Sequence, residues 1–408
     1  MKRWAFFFAI SLIATVWLVA GRRPGLLAST AALPTYIKAQ TIRSGTEWRF
    51  RPLVLDLDRD GHPDLVATAR LVDNPLHIWF GDGKGNFNAF KPTWADTGYA
   101  ALATGDINRD GFADIVAASH FGNVQTLLSD GRGGFTEKIL HRDDGYVAAQ
   151  LADLNGDGSL DLVLLGFQKA GIEIYLGDGT GTWTLDKTLP QPGPGQTMPG
   201  RDLLVGDLNH DGHPDLVAAF QRWGMYIYYG DGRGGFTGGS ATFRLPADTP
   251  ESLALGDVNK DGHPDIVVNG HGGRGNQVNG PDVYLGDGRG EWKVSSAGLK
   301  VLRFTSAAIA LSDLDRDGNL DIIAGGNMTG DARDGYGLFW LRGDGKGGWS
   351  LVQDSGLPTN GLSLPQGVSL ADLDGDGILE IIALTGGERG SITIWKQKES
   401  PAITLTSK

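Results

Sequence analysis

From Leu53 onward the chain alternates short apolar runs with acidic or glycine-rich breaks, and the whole pattern repeats. Each period opens with an apolar run such as Leu53–Leu55 or Ile309–Leu311 and then stops at an Asp-rich loop. A second run follows, such as Leu65–Ala67, Ile115–Ala117 or Ile322–Ala324. These runs are short, rich in β-branched residues and bounded by Gly and Asp, which predicts buried strands. A third run, as in His77–Phe80, Ile172–Tyr175 and Tyr226–Tyr229, ends in a Gly-Asp-Gly turn followed by an aromatic. Gly81–Phe87 is the first such turn. Close versions stand at Gly177–Trp183, Gly230–Phe236, Gly286–Trp292 and Gly343–Trp349, and a weaker one at Asp130–Phe135. An Asp-Gly turn before an aromatic predicts a hairpin into a fourth strand. Four strands per period make one blade of a propeller.

The Asp-rich loop is nine residues long, with acids at positions 1, 3, 5 and 9 and Gly at position 6. It occurs seven times at a mean spacing of about 53 residues, which suits a propeller blade better than a helical repeat. The fold class predicted is all-β, a seven-bladed β-propeller of four-stranded blades. Alternating acids in a tight loop aim their oxygens at one centre, the glycine permits the sharp turn, and the carbonyl at position 7 turns inward. The first copy offers Asp56, Asp58, Asp60, His62 and Asp64, and the second Asp106, Asn108, Asp110, Phe112 and Asp114. The third offers Asp153, Asn155, Asp157, Ser159 and Asp161, and the fourth Asp207, Asn209, Asp211, His213 and Asp215. The fifth has Asp257, Asn259, Asp261, His263 and Asp265, and the sixth Asp313, Asp315, Asp317, Asn319 and Asp321. The seventh has Asp372, Asp374, Asp376, Ile378 and Glu380. At position 7 only the backbone carbonyl is enlisted, so His62, His213 and His263 need not touch metal.

The alternative to a metal loop is an Asp-rich turn without an ion. Crowded carboxylates repel one another unless a cation lies among them, and seven copies of one ligand pattern argue for the cation. A helix–loop–helix calcium sensor needs Glu at position 12. That position holds Ala67, Ala117, Leu164, Ala218, Val268, Ala324 and Ala383, and the loop runs into a strand. A large all-oxygen ligand set favours Ca²⁺ over Mg²⁺.

The Asp-x-Asp-x-Asp-Gly-x-x-Asp loops alternating with Gly-Asp-Gly-x-Gly-x-Phe turns resemble the FG-GAP/VCBS repeat family, which includes the integrin α propeller and many bacterial secreted proteins. The resemblance runs from about Tyr36 to Lys408. It implies a seven-bladed propeller with up to seven structural Ca²⁺ ions in loops on one rim. Glu380 departs from the pattern, standing where other copies have Asp.

The ends of the chain differ from the repeats. The seventh copy reaches Ile392–Trp395 without a Gly-Asp-Gly turn, while Tyr36–Ile42 reads as a spare strand. The expected closure uses that N-terminal strand to complete the last blade; a rival closure uses Ile403–Leu405. Residues 1–32 are expected to be a signal peptide or N-terminal membrane anchor with a linker, and residues 33–408 the propeller. Lys2 and Arg3 precede the apolar run Trp4–Ala20, and Arg22 and Arg23 follow it. The protein is therefore expected to be exported, with membrane attachment through residues 4–20 as one outcome.

If the acidic loops join first to second strands, the variable loops and the ring mouth lie on the opposite face. That face is expected to bind a glycan or protein through Arg49, Tyr99, His120, Tyr146, Arg201, Arg222, Trp223, His271, Arg274, Arg333 and Tyr336. Arginines suit carboxylate or sulfate, and aromatic faces suit sugar rings. The competing reading is ordinary solvated loops. An enzyme acting on polysaccharide, through His271 beside Arg274, and a membrane-anchored scaffold are alternatives to a binding module. Arg342, Gly343 and Asp344 spell an adhesion tripeptide, but inside a repeated hairpin turn.

Composition then narrows the picture. With no Cys among 408 residues, disulfides, thiolate metal sites and cysteine catalysis are excluded. The net charge of −12 argues against nucleic acid as a partner. Yet the seven loops hold half of the 48 acidic residues. Seven bound divalent ions would bring the charge to about +2. The acidity belongs mostly to the loops rather than to a partner.

Overall fold

The computed structural model describes residues 33–44, 47–69, 75–90, 99–167, 171–189, 199–221, 223–243, 250–270, 280–329, 332–386 and 390–398. The strands form seven four-stranded antiparallel sheets set as blades around an axis, a seven-bladed β-propeller. Blade one comprises Trp48–Leu55, Asp64–Ala69, Leu76–Gly81 and Phe87–Phe90, paired in chain order from the axis outward. Blades two to six repeat that order from the inner strands Tyr99–Gly105, Tyr146–Ala152, Gly200–Gly206, Pro250–Gly256 and Phe304–Ser312. Blade seven runs Pro365–Ala371, Glu380–Thr385, Ser391–Gln397 and, outermost, Tyr36–Ser44 from the other end of the chain. Ile37 pairs with Lys396 and Thr41 with Thr393, so the N-terminal strand closes the ring. The rival closing segment, Ile403–Leu405, lies outside the described residues, as do residues 1–32 with their expected signal or anchor. No helix among the described residues is long and apolar enough to cross a membrane.

The second strand of every blade is buried along its length, save for a half-buried Gly270 at the end of the strand in blade five. Both of its faces meet neighbouring blades, so it reads as an unbroken apolar run where a one-sided strand would alternate. Between blades three and four, Val163, Leu165 and Ile174 interlock with Leu203, Leu216 and Phe220. Each such side chain contributes roughly 1.5–3 kcal/mol by leaving water.

The two repeated motifs also fit together physically. A Cβ added to Gly81 would lie 2.2 Å from the Pro63 carbonyl oxygen. One added to Gly83, whose φ is 65°, would lie 2.2 Å from Nδ1 of His62. Each turn thus needs glycine where the acidic loop of its own blade packs against it. His213 lies over Gly232 and His263 over Gly288 in the same way.

The inner strands of blades one and six each bulge by two residues, blade six between Thr305 and Ile309, and blade one turns its bulge toward the far side of the ring. In blade one the bulge falls between Arg49 and Leu53. Phe50 adopts a left-handed φ of 59° and packs on the core shared by blades three and four. Arg51 Nη2 lies 3.6 Å from Asp202 Oδ1 in blade four. Those blades stand across the ring, so this segment spans the axis.

Candidate functional site

The loops joining first to second strands all coil the same way. The carboxylate at position 1 accepts a hydrogen bond from the position-6 glycine N–H, at 3.0 Å for Asp56 and Gly61 and 2.7 Å for Asp372 and Gly377. Position 6 is left-handed in every copy, and so is position 4. Arg59, Arg109, His210, Lys260 and Arg316 hold φ of 56°, 60°, 59°, 62° and 60°, and Gly156 and Gly375 take the same place in blades three and seven. Two left-handed residues in so short a loop fold positions 1, 3 and 5 onto one side. Sequence reading missed position 4; the two glycines there were the available signal.

Position 4 also links blades. The Arg59 guanidinium sits 4.4 Å from the Phe112 ring centroid, and Arg109 Nη2 donates to Ser159 Oγ at 2.5 Å. His210 packs on His263 at 4.8 Å, and Arg316 donates to the Gly377 carbonyl. Each of these contacts reaches the next loop along the rim.

Position 9 plays a part that the sequence did not reveal. Asp64 is fully buried, and its two oxygens accept N–H bonds from Leu57 at 2.7 Å and Gly81 at 2.9 Å. Asp215 does the same with Leu208 at 2.9 Å and Gly230 at 2.8 Å. Asp114, Asp161, Asp265 and Asp321 repeat the pattern. The carboxylate therefore clamps the start of its own loop to the end of the third strand. Burial pushes Asp64, Asp114, Asp161, Asp215 and Asp265 up to about 6, against the pull of those N–H donors. Glu380 accepts from Leu373 at 2.7 Å, and burial raises it to about 7. The longer side chain thus still reaches the clamp position.

The loops divide by what meets the oxygens of positions 3 and 5. In loops two to five the Asn at position 3 donates its amide to the acid at position 5, as from Asn108 to Asp110 at 2.8 Å and Asn209 to Asp211 at 3.0 Å. In loop six Arg342 donates from Nε to Asp315 Oδ2 at 2.5 Å and from Nη2 to Asp317 Oδ2 at 2.6 Å. Loops one and seven have acids at both positions and neither device. Clusters of carboxylates within 4.8 Å of one another occur at Asp56, Asp58 and Asp64, at Asp313, Asp315 and Asp321, and at Asp372, Asp374 and Glu380. In loop one, Oδ1 of Asp56 is buried with no donor, and burial together with Asp60 and Asp56 raises Asp58. An orphaned anionic oxygen among like charges is what a bound cation would satisfy. The residues of loop one therefore fit a divalent ion.

The Asp of each Gly-Asp-Gly turn is a separate element. Asp231 Oδ1 accepts from the N–H groups of Arg233 and Gly235, both at 2.8 Å, and those donors hold its carboxyl below the usual range. These acids stabilise the turn itself.

On the opposite face the expected ligand residues part company. Arg49 and Arg201 share an open polar depression of about 570 Å³ with Glu47, Gln221, Glu251 and Gln366. Both arginines have carboxylate partners there: Arg49 lies 2.6 Å from Glu47 and Arg201 lies 3.1 Å from Glu251. Glu251 is raised to about 7, because burial outweighs the pull of Arg201. Tyr146 is fully buried and donates to Glu173 at 2.6 Å, so it presents no ring to a ligand. Glu173 also accepts from Tyr175 at 2.7 Å and Arg142 at 2.8 Å. The His120 ring packs 3.8 Å from that of Phe167, Trp223 packs on the blade three–four core, and Tyr336 pairs with Leu362. Arg333 is exposed in the short turn Ala332–Asp334. Tyr99 starts the inner strand of blade two. Arg222, His271 and Arg274 lie outside the described residues.

The fold is similar to that of BBS1N in complex with ARL6DN. The likeness has a TM-score of 0.57 at 13% identity and covers 90% of this chain and 99% of that one. The V. cholerae biofilm matrix protein Bap1 aligns with a TM-score of 0.47 at 11% identity, over 90% and 91% of the two chains. No curated protein matches in sequence. The model of the FG-GAP-like repeat matches residues 56–117, 106–164, 153–218, 207–268 and 313–383, each match running from one acidic loop into the next blade. These matches take in well over half of the chain, which belongs to the FG-GAP-like repeat family.

Proposed function

We propose that the protein is an exported, calcium-bearing interaction module that holds a protein partner at the face opposite the acidic loops. The observation that carries the binding face is the depression around Arg49, Arg201, Glu47 and Glu251. Its lining mixes donors and acceptors and its arginines are paired with carboxylates, which suits the mixed polar surface of a protein better than a polyanion. A propeller of the same fold occurs in a protein complex, BBS1N with ARL6DN, and that analogy is one of fold alone. Ca²⁺ is the ion proposed because the donors are all oxygen and several come from one loop. Export rests on the run Trp4–Ala20.

The binding reading is tested by displaying the wild-type chain and the Arg49→Ala/Arg201→Ala double variant against a protein library and a glycan array. Selective protein capture by the wild type, reduced at least tenfold in the variant, is the expected result. Equal capture by both, or capture of glycans alone, refutes it. Calcium is tested apart from this by titration calorimetry on chelator-treated protein, where no heat of binding up to millimolar Ca²⁺ would exclude it.

A further inference from the structure

Loop six differs from its siblings in one residue outside the loop. The position two residues before the Asp of each turn motif holds Phe80, Leu128, Leu176, Tyr229 and Leu285 in blades one to five, and Arg342 in blade six. The Arg342 guanidinium lies across the mouth of the loop. It occupies Oδ2 of Asp315 at 2.5 Å and Oδ2 of Asp317 at 2.6 Å. The second oxygens of both acids are already used. Asp315 Oδ1 accepts the Asp317 N–H at 3.3 Å, and Asp317 Oδ1 accepts the Asn319 N–H at 2.8 Å. Asp313 is engaged as well, by the N–H groups of Asp317 at 3.1 Å and Gly318 at 2.8 Å. In loops one and seven Oδ1 of Asp58 and of Asp374 likewise accepts the position-5 N–H, each at 3.3 Å, but among the described residues no arginine is paired with these acids; Arg316 reaches loop seven only at the Gly377 carbonyl.

We propose that Arg342 is a built-in cation for loop six, so that this loop takes no divalent ion while loop one does. A guanidinium meets two carboxylates through a fixed fork and carries its charge at every physiological pH. An incoming ion would have to displace it from Asp315, which is nearly buried. Both interactions would be lost at once, because the same two oxygens would serve the ion. The proposal rests on the calcium reading above and sharpens it to individual loops.

Equilibrium dialysis with radiolabelled Ca²⁺ on the full chain tests this. Three proteins are compared: wild type, Arg342→Gln and Asp317→Ala. The expected result is one more equivalent bound by Arg342→Gln than by wild type, and an unchanged count in Asp317→Ala. Equal non-zero binding by wild type and Arg342→Gln overturns the assignment of Arg342 and leaves the calcium reading standing. Loss of one equivalent in Asp317→Ala overturns it too, and this arm decides the matter if Arg342→Gln does not fold. Binding by none of the three refutes both readings.

Discussion

Replacing Asp215 by Ala separates the clamp from the ligand role of position 9. The wild-type carboxylate is fully buried and holds the Leu208 and Gly230 N–H groups at 2.9 and 2.8 Å. Alanine leaves both donors buried without an acceptor. At about 1–3 kcal/mol for each orphaned group, the loss is about 2–6 kcal/mol. Asp215→Asn falls between, because its amide oxygen can serve one donor while its NH₂ faces the other. The assay is urea unfolding in chelator, followed by tryptophan fluorescence and by far-UV circular dichroism, with coincident transitions required before a free energy is taken. Asp211→Ala is the control, since its carboxylate at position 5 is exposed and it should unfold within about 0.5 kcal/mol of wild type in chelator. If Asp215→Ala matches wild type in chelator, the acid acts only as a metal ligand and the clamp is wrong.

Other expectations follow from the same geometry. Glu251 is raised from 4.5 to about 7, so between those values the folded chain holds a proton that the unfolded chain has released. Its contribution to stability is therefore full below 4.5 and is lost as pH rises through 7. The wild-type advantage over Glu251→Gln should shrink by up to about 3 kcal/mol across that window, and a flat difference would contradict the assignment. Glu173→Ala should cost about 3–5 kcal/mol in urea unfolding, since two buried tyrosine hydroxyls and Arg142 lose their shared acceptor. Gly81→Ala should lower the melting temperature, because its Cβ meets the Pro63 carbonyl at 2.2 Å; an unchanged melting temperature would mean that the turn moves freely. Deleting residues 33–44 exposes the edge of Ser391–Gln397 and should give oligomers on size-exclusion chromatography, whereas a stable monomer would show that the closing strand is dispensable.

The repeats were legible because each strand and turn is a local pattern. Val66 and Ile115 announce buried strands, and Tyr36–Ile42 could be matched to the missing strand by counting. Position 9 was legible as an acid but not as a clamp, because its second partner, Gly81, belongs to another strand. The arginines of the opposite face read as free cations for a similar reason. Arg201 meets its carboxylate partner only when blades four and five come together. Tyr146 looked like a surface aromatic, and only the fold shows Glu173 beneath it. Arg342 carried no signal as a loop partner, since it stands outside the nine-residue loop and inside an adhesion-like tripeptide.

The crossing made by Phe50 and Arg51 changes the mechanics of the ring. In a plain propeller each blade leans only on its two neighbours, and its stability approximates a sum of nearest-neighbour terms around a circle. Such a wheel can loosen sector by sector. Here a spoke from blade one rests on the hub-side core of blades three and four, so opening any of these sectors disturbs one on the far side. Hydrogen exchange in blades one, three and four should consequently share a single opening free energy, and Phe50→Gly should split it into separate ones.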